Sequence, residues 1–246
     1  MKKYFFLLLI LLMVSCQVTE TLHLNPDGSG NIEVVHLRDE NSYMQLAKEE
    51  YSKEDIYSDT TYVFGDYIKK HQETFSRTAA ADQQVFLRYT DVKVHRKASS
   101  YEKEFRTTYT QNFQKACDIV DLSKTDHYLD DIKNNYALSA EEHYYKVSYD
   151  YNRNRFSRSV TIIDSVELKK QFDKIEEIKA KYKGSKLVQN YVVNYHFPRK
   201  IQSISNPLAK ISEDGKSLSL QFLLTDCLQN PEITNLEVVL EPETVD

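Results

Sequence analysis

Alternating apolar and polar positions predict strands over most of this chain, and turn chemistry divides them into hairpins. VTETLHL (18–24) and NIEVVHL (31–37) flank NPDGSG, where Asn25-Pro26-Asp27-Gly28 supplies a preset φ and a glycine free to take φ > 0. Val92 to Phe113 reads as a second hairpin turning near Ala98-Ser99-Ser100; in its second arm Phe105, Thr107 and Tyr109 alternate with Glu104, Arg106 and Thr108. HYYKVSYDY places Tyr145, Val147, Tyr149 and Tyr151 on one face, turns at Asn152-Arg153-Asn154-Arg155, and returns as FSRSVTII. LVQNYVVNYHF groups Leu187, Tyr191, Val193, Tyr195 and Phe197; a hairpin around Asp214-Gly215 follows, and TNLEVVLE (234–241) is the last strand. The first and the Asp214-Gly215 hairpins look alike and could share a sheet.

Period-3.6 patterns predict the helices. Asp39 to Tyr51 has Ser42 and Gln45 spaced as a capping box, and one or two helices lie between the strand TTYVF (60–64) and Tyr89. Residues 116–135 are helical or irregular. Asp164 to Lys183 is the clearest helix, with Leu168, Phe172, Ile175 and Tyr182 on one stripe and Gly184 stopping it. The pattern predicts an α+β fold: a mostly antiparallel sheet built from hairpins, packed against several helices. With no Gly/Ser linker, residues 16–246 read as a single domain.

The first 16 residues break this pattern. Lys2 and Lys3 precede an apolar run from Tyr4 to Val14, and Ser15-Cys16 closes it. At about 1.5 Å per residue the run covers about 16 Å, against roughly 30 Å of hydrocarbon. It is too short to span a membrane and has the layout of an export signal. Met13-Val14-Ser15-Cys16 resembles the lipobox of bacterial lipoproteins. That resemblance implies a signal peptide over 1–15, cleavage between Ser15 and Cys16, and diacylglycerol on the Cys16 thiol. Only two or three residues would then separate lipid from strand, a tether of about 10 Å.

Charge and composition narrow the function. Loss of Lys2 and Lys3 takes the net charge from −5 to −7, which argues against nucleic acid as a partner. Two cysteines remain in the mature chain. An oxidising compartment would permit a Cys117–Cys227 disulfide, but no spacing motif joins them and two buried free thiols are expected. The chain has 18 Tyr and no Trp. Tyr145, Tyr149, Tyr151, Tyr191 and Tyr195 would offer a binding surface for a peptide, glycan or acyl chain if exposed. The competing expectation puts those rings in the core with hydroxyls at its edge.

Other candidates yield to plainer readings. NPDGSGNIEVVH aligns Asn25, Asp27, Ser29, Gly30 and Ile32 with a calcium loop, but His36 stands where a bidentate Glu is needed, so a hairpin turn is expected. His23 and His36 could face each other across that hairpin. Asp126, Asp130 and Asp131 read as a solvated helix face, and Arg153, Arg155 and Arg158 as a solvated turn that could otherwise meet acidic headgroups. No catalytic constellation, phosphate loop or dinucleotide fingerprint occurs, and no cofactor is expected.

TETLHLNPDGSGNIEVVHL after the lipobox, together with NYHFPRKIQSISNPLAKISEDGKSLSLQFLLTDCLQNPEITNLEVVLE, resembles small uncharacterised lipoproteins of Bacteroidota, and the opening hairpin loosely resembles the LppM-like domain. The resemblance implies a lipid-anchored α+β body in a Gram-negative envelope. Gln17 and the nearly uncharged QVTET favour the outer membrane and its periplasmic face. The expectation is a non-enzymatic binding or scaffold module whose partner is another envelope protein or a small ligand; the alternatives are an envelope-acting hydrolase or a carrier of a hydrophobic ligand.

Overall fold

The computed structural model describes residues 16–134, 138, 143–181 and 189–242. Residues 1–15, with the expected signal peptide and Ser15, lie outside the described residues, as do Tyr182, Gly184 and Leu187.

Strands β1 (Cys16–Leu24) and β2 (Gly30–Arg38) pair antiparallel along their full length, from Cys16↔Arg38 to Leu24↔Gly30. The turn between them is set by Gly28 at φ +85° and by Asp27, whose Oδ1 accepts from the Ser29 amide at 3.0 Å. Gly30 is required for a different reason: a Cβ there would sit 2.0 Å from the His23 carbonyl oxygen.

The chain then adds β3 (Tyr57–Val63), β4 (Lys93–Ser99), β5 (Glu104–Phe113), β6 (Tyr145–Asn152), β7 (Arg155–Ile162), β8 (Asn190–His196), β9 (Ile201–Ile204), β10 (Lys210–Ile211), β11 (Ser217–Leu223) and β12 (Leu236–Leu240). Eight strands form one sheet in the order β10-β11-β8-β1-β2-β5-β4-β3, and four form another in the order β6-β7-β12-β9. The first and the Asp214-Gly215 hairpins share the large sheet through β8, which pairs parallel to β1. The fold is α+β and antiparallel-rich, as the pattern predicts.

Among the described residues the α-helices include α1 (Glu40–Ala47), α2 (Phe64–Lys70), α3 (Gln72–Phe75), α4 (Ala80–Leu87), α5 (Thr125–Asn134), α6 (Ser165–Lys181) and α7 (Leu224–Gln229). The cap of α1 differs from the expected box. Asp39 is the N-cap, three residues before Ser42, its Oδ1 accepting from the Ser42 amide at 2.7 Å because an Asx side chain reaches the third helical amide.

One face of the large sheet is buried: Val18, Leu22, Ile32, Val34, Tyr109, Val94, Val193, Tyr195 and Leu220 all belong to one apolar cluster. Over β1 and β8 that face is covered by the small sheet, through ring contacts of Phe156 with Tyr195 (5.5 Å) and Phe197 (5.4 Å). Over β4 and β5 it is covered by α2–α5, where Phe86 and Tyr89 meet Tyr128 edge-on and Arg96 pairs with Asp126 of α5 at 2.7 Å. The solvated face expected for residues 126–131 is therefore corrected at Asp131, which is buried. Helix α6 buries less than its stripe suggests. Ile175 is covered but Phe172 is exposed, because the helix rests on the short α7 through Gln229 and Asp226 rather than on a sheet.

A buried arginine fastens α1 to the sheet. Arg38 lies between the rings of Tyr43 (3.8 Å) and Phe105 (3.3 Å), donates through Nε to Glu40 at 2.6 Å and pairs with both oxygens of Glu54. Burial alone would raise the Glu54 carboxyl, but hydrogen bonds from Arg38 and Tyr43 outweigh it and hold it below its ordinary value. A lowered carboxyl contributes stability above its unfolded pKa and loses that contribution as pH falls through the folded value. Urea midpoints are therefore expected to fall on acidification below about pH 4.5. In Arg38→Gln that part of the slope should flatten; an unchanged slope would place the acid sensitivity elsewhere.

Candidate functional site

Two ends of the molecule are defined by β1. Its first residue is Cys16 and its last, Leu24, leads into the Gly28 turn. Nine residues at about 3.3 Å each separate the ends by about 30 Å. No residue of tether intervenes between Cys16 and the sheet, which corrects the expected two or three.

Midway along β1 is Glu20, on the buried face between Val18 and Leu22. Its Oε1 accepts from the hydroxyls of Tyr149 (2.9 Å) and Tyr195, and its Oε2 from Tyr191 (2.5 Å). Arg158 Nε lies 3.5 Å from Oε1, while its terminal nitrogens donate to Thr234 Oγ1 (2.6 Å) and the Tyr191 hydroxyl (3.1 Å). Burial, and then the Glu20 charge, hold the Tyr149 and Tyr195 phenols well above their ordinary range; burial holds Tyr191 up against the pull of Arg158. The proposed tyrosine surface is thereby corrected. Tyr149, Tyr191 and Tyr195 are buried, and Tyr145 and Tyr151 are half-buried. The hydroxyls of Tyr149, Tyr191 and Tyr195 are not at the core edge either; they turn inward because a carboxylate stands there to receive them. Arg158 is likewise buried rather than part of a solvated turn.

Sealed from solvent, this cluster cannot meet a ligand, but it fixes the small sheet on the large one. Glu20 was recognisable in sequence as a charge at a core-facing step of an alternating strand; its partners were not, because they come from β6, β7 and β8.

At the Gly28 end, loops from both sheets surround an open cleft of about 660 Å³. Its cationic side chains are Lys115, Arg153 and Arg199, opposed by Asp27 and Asp150, with Cys117 and Tyr151 also on the wall. Arg199 braces the wall by donating to the Glu241 carbonyl (2.7 Å), the Arg153 carbonyl (2.5 Å) and the Tyr151 hydroxyl (3.1 Å). Of these residues the sequence pointed to Asp27, Tyr151, Arg153 and Cys117; Lys115 and Arg199 carry no local signal.

The remaining candidates separate. Cys117 and Cys227 are both free; Cys117 is exposed, against the expectation of burial, and Cys227 is half-buried with its thiol pushed up to about 12 by burial. His23 and His36 do not face each other: His23 pairs with Asn31 and stacks on His196 at 4.2 Å, whereas His36 points inward against Tyr109. Among the described residues no group of three or more His, Cys, Asp or Glu is placed to hold a metal ion, and no helix is long and apolar enough to cross a membrane.

No family model and no curated protein matches the chain. Among solved structures, the folded domain of LppM from Mycobacterium tuberculosis aligns over 94% of this chain and 92% of its own, at 7% identity and a TM-score of 0.34. That makes it a weak structural neighbour, too distant to carry an argument about role.

Breaking the Glu20 cluster should be costly, since Glu20→Ala leaves three phenols buried without their acceptor and Arg158 buried without its counter-charge. We expect a loss of about 3–5 kcal/mol in urea unfolding. Glu20→Gln, which keeps an acceptor oxygen, should lose less. Equal losses would mean that the charge, rather than the hydrogen bonds, holds the cluster.

Proposed function

We propose that this chain is a lipid-anchored lipoprotein of the bacterial envelope, cut before Cys16, and that it serves as a non-enzymatic binding module facing the periplasm from the outer membrane. The observation that carries the reading is the position of Cys16: the lipobox-like Met13-Val14-Ser15-Cys16 ends on a residue that is itself paired in the sheet, with Arg38. A chain cut before Cys16 would keep the whole β1–β2 ladder. Two or three acyl chains, each methylene adding about 0.8 kcal/mol, would make the attachment effectively permanent.

The binding role draws on the opposite end. The cleft around Arg199 opens about 30 Å from Cys16, where it would be presented to a partner well clear of the headgroups. Its paired charges and an exposed thiol suit a polar peptide segment or a small acidic ligand. The carrier reading is disfavoured because Phe156, Tyr195 and Phe197 fill the space between the sheets where a hydrophobic cargo would have to lie.

Intact-mass analysis of the native protein tests the anchor: the expected species starts at Cys16 and carries diacylglycerol, and Cys16→Ser should remain unlipidated in the aqueous fraction. A mature chain retaining Met1, or an unmodified Cys16 thiol, would overturn it. For the cleft, Lys115→Glu with Arg153→Glu should lower recovery of a stoichiometric envelope partner at least about tenfold, about 1.4 kcal/mol, without altering membrane retention.

A further inference from the structure

Of the eleven large apolar side chains exposed among the described residues, Leu87, Ile163, Val166, Phe172, Leu208 and Ile211 included, five fall near the Cys16 end of the large sheet. Met44, Ile56, Tyr57, Tyr101 and Leu223 are all exposed, with Tyr57 at 69% and Tyr101 at 74%. Strand register places them at one end. Cys16 pairs with Arg38, and Arg38 lies over Phe105; Phe105 pairs with Ala98, and the next step joins Ser99 to Tyr57. On the other side of β1, Leu223 pairs with Asn190, one residue before Tyr191, the partner of Val18. Met44 belongs to α1, which leaves β2 immediately after Arg38. Tyr101 caps the β4–β5 turn, its hydroxyl donating to Asp55 at 2.6 Å.

We infer that this end of the sheet, around Cys16, is a bilayer-docking face on which Met44, Ile56, Tyr57, Tyr101 and Leu223 enter the interfacial region of the lipid. The inference rests on the lipid-anchored reading and adds an orientation to it. What covers the face is indicated by the chain itself: the apolar run Tyr4–Val14 ends at Cys16, and the acyl groups that replace it would start from the first paired residue of β1. With no linker, this end of the sheet is held against the headgroup layer, about 5–8 Å thick on each side of the hydrocarbon core. Side chains of this kind suit that depth, since tyrosine combines an apolar ring with a polar tip.

Charge does not choose the lipid. Lys48, Lys53 and Lys103 are interleaved with Glu49, Glu50 and Asp55, and Lys53 is already paired with Glu50 at 2.5 Å. Docking should therefore be equal on zwitterionic and anionic membranes. The basic hairpin tip that the sequence suggested for headgroups is at the wrong end: a Cβ on Gly28 would lie 3.3 Å from the Tyr151 ring, which puts the Arg153–Arg155 turn beside the turn distal to Cys16.

The test is photocrosslinking of the native lipidated protein in vesicles of phosphatidylcholine, with or without phosphatidylglycerol, that carry a diazirine in the headgroup-proximal acyl segment. The same sample is read by intact mass. The expected result is label on peptides containing Met44, Ile56–Tyr57, Tyr101 and Leu223, at least about fivefold above peptides containing Tyr151 or Arg199, in both lipids. Ile56→Asp with Tyr101→Asp should remove most of that label while the acylated mass, membrane retention and far-UV circular dichroism are unchanged. Label distributed evenly, or concentrated at the Tyr151 end, with Cys16 acylated would overturn the docking face and leave the anchor standing. An unacylated Cys16 would overturn both.

Discussion

Everything in this molecule is referred to β1, a strand paired on both sides from its first residues. Antiparallel β2 holds it from Cys16 to Leu24, and parallel β8 holds it from Val18 to His23. The stretch with two neighbours cannot peel away without breaking both ladders, and Cys16 and Gln17 continue it on the β2 side alone, paired with Arg38 and Leu37. That constraint converts a chemical feature of the sequence, a cysteine after an apolar leader, into a geometric one. In the lipid-anchored reading, the membrane and the sheet share a residue.

Two buried charged clusters stabilise the frame at different heights. Glu20 receives three phenols and the Arg158 charge at the junction of the two sheets, and Arg38 gathers Glu40, Glu54, Tyr43 and Phe105 at the Cys16 end. Neither would form from apolar packing alone. Each demands that several directional partners arrive together, so a one-residue slip of β1 or β2 would bury an unpaired charge. The clusters thus favour a single register more than they add to net stability.

Much of the architecture was legible because hairpins are local. Asn25-Pro26-Asp27-Gly28 and Asp214-Gly215 announce their turns in consecutive residues, and both glycines adopt the positive φ that those turns need. What distant partners decide was hidden. The parallel pairing of β1 with β8 joins residues more than 160 apart, and β9 is a four-residue strand with too short an alternation to recognise. The tyrosine stripes were placed on the correct faces, but their destination depended on Glu20, which lies on another strand. Phe172 shows the opposite error: helical periodicity identified a stripe, and only the shortness of α7 left part of it uncovered. The distal cleft is assembled from separate loops, so no stretch of sequence contains it.

The central claim is that the folded body begins at the lipid, without a leash. Neutron reflectometry on the native protein in a supported bilayer reads this directly. The account predicts protein density continuous with the headgroups and its outer boundary at least about 30 Å beyond them, set by the length of β1. A water-filled layer between bilayer and protein would contradict it, because such a gap requires a flexible segment that a strand paired from Cys16 does not have.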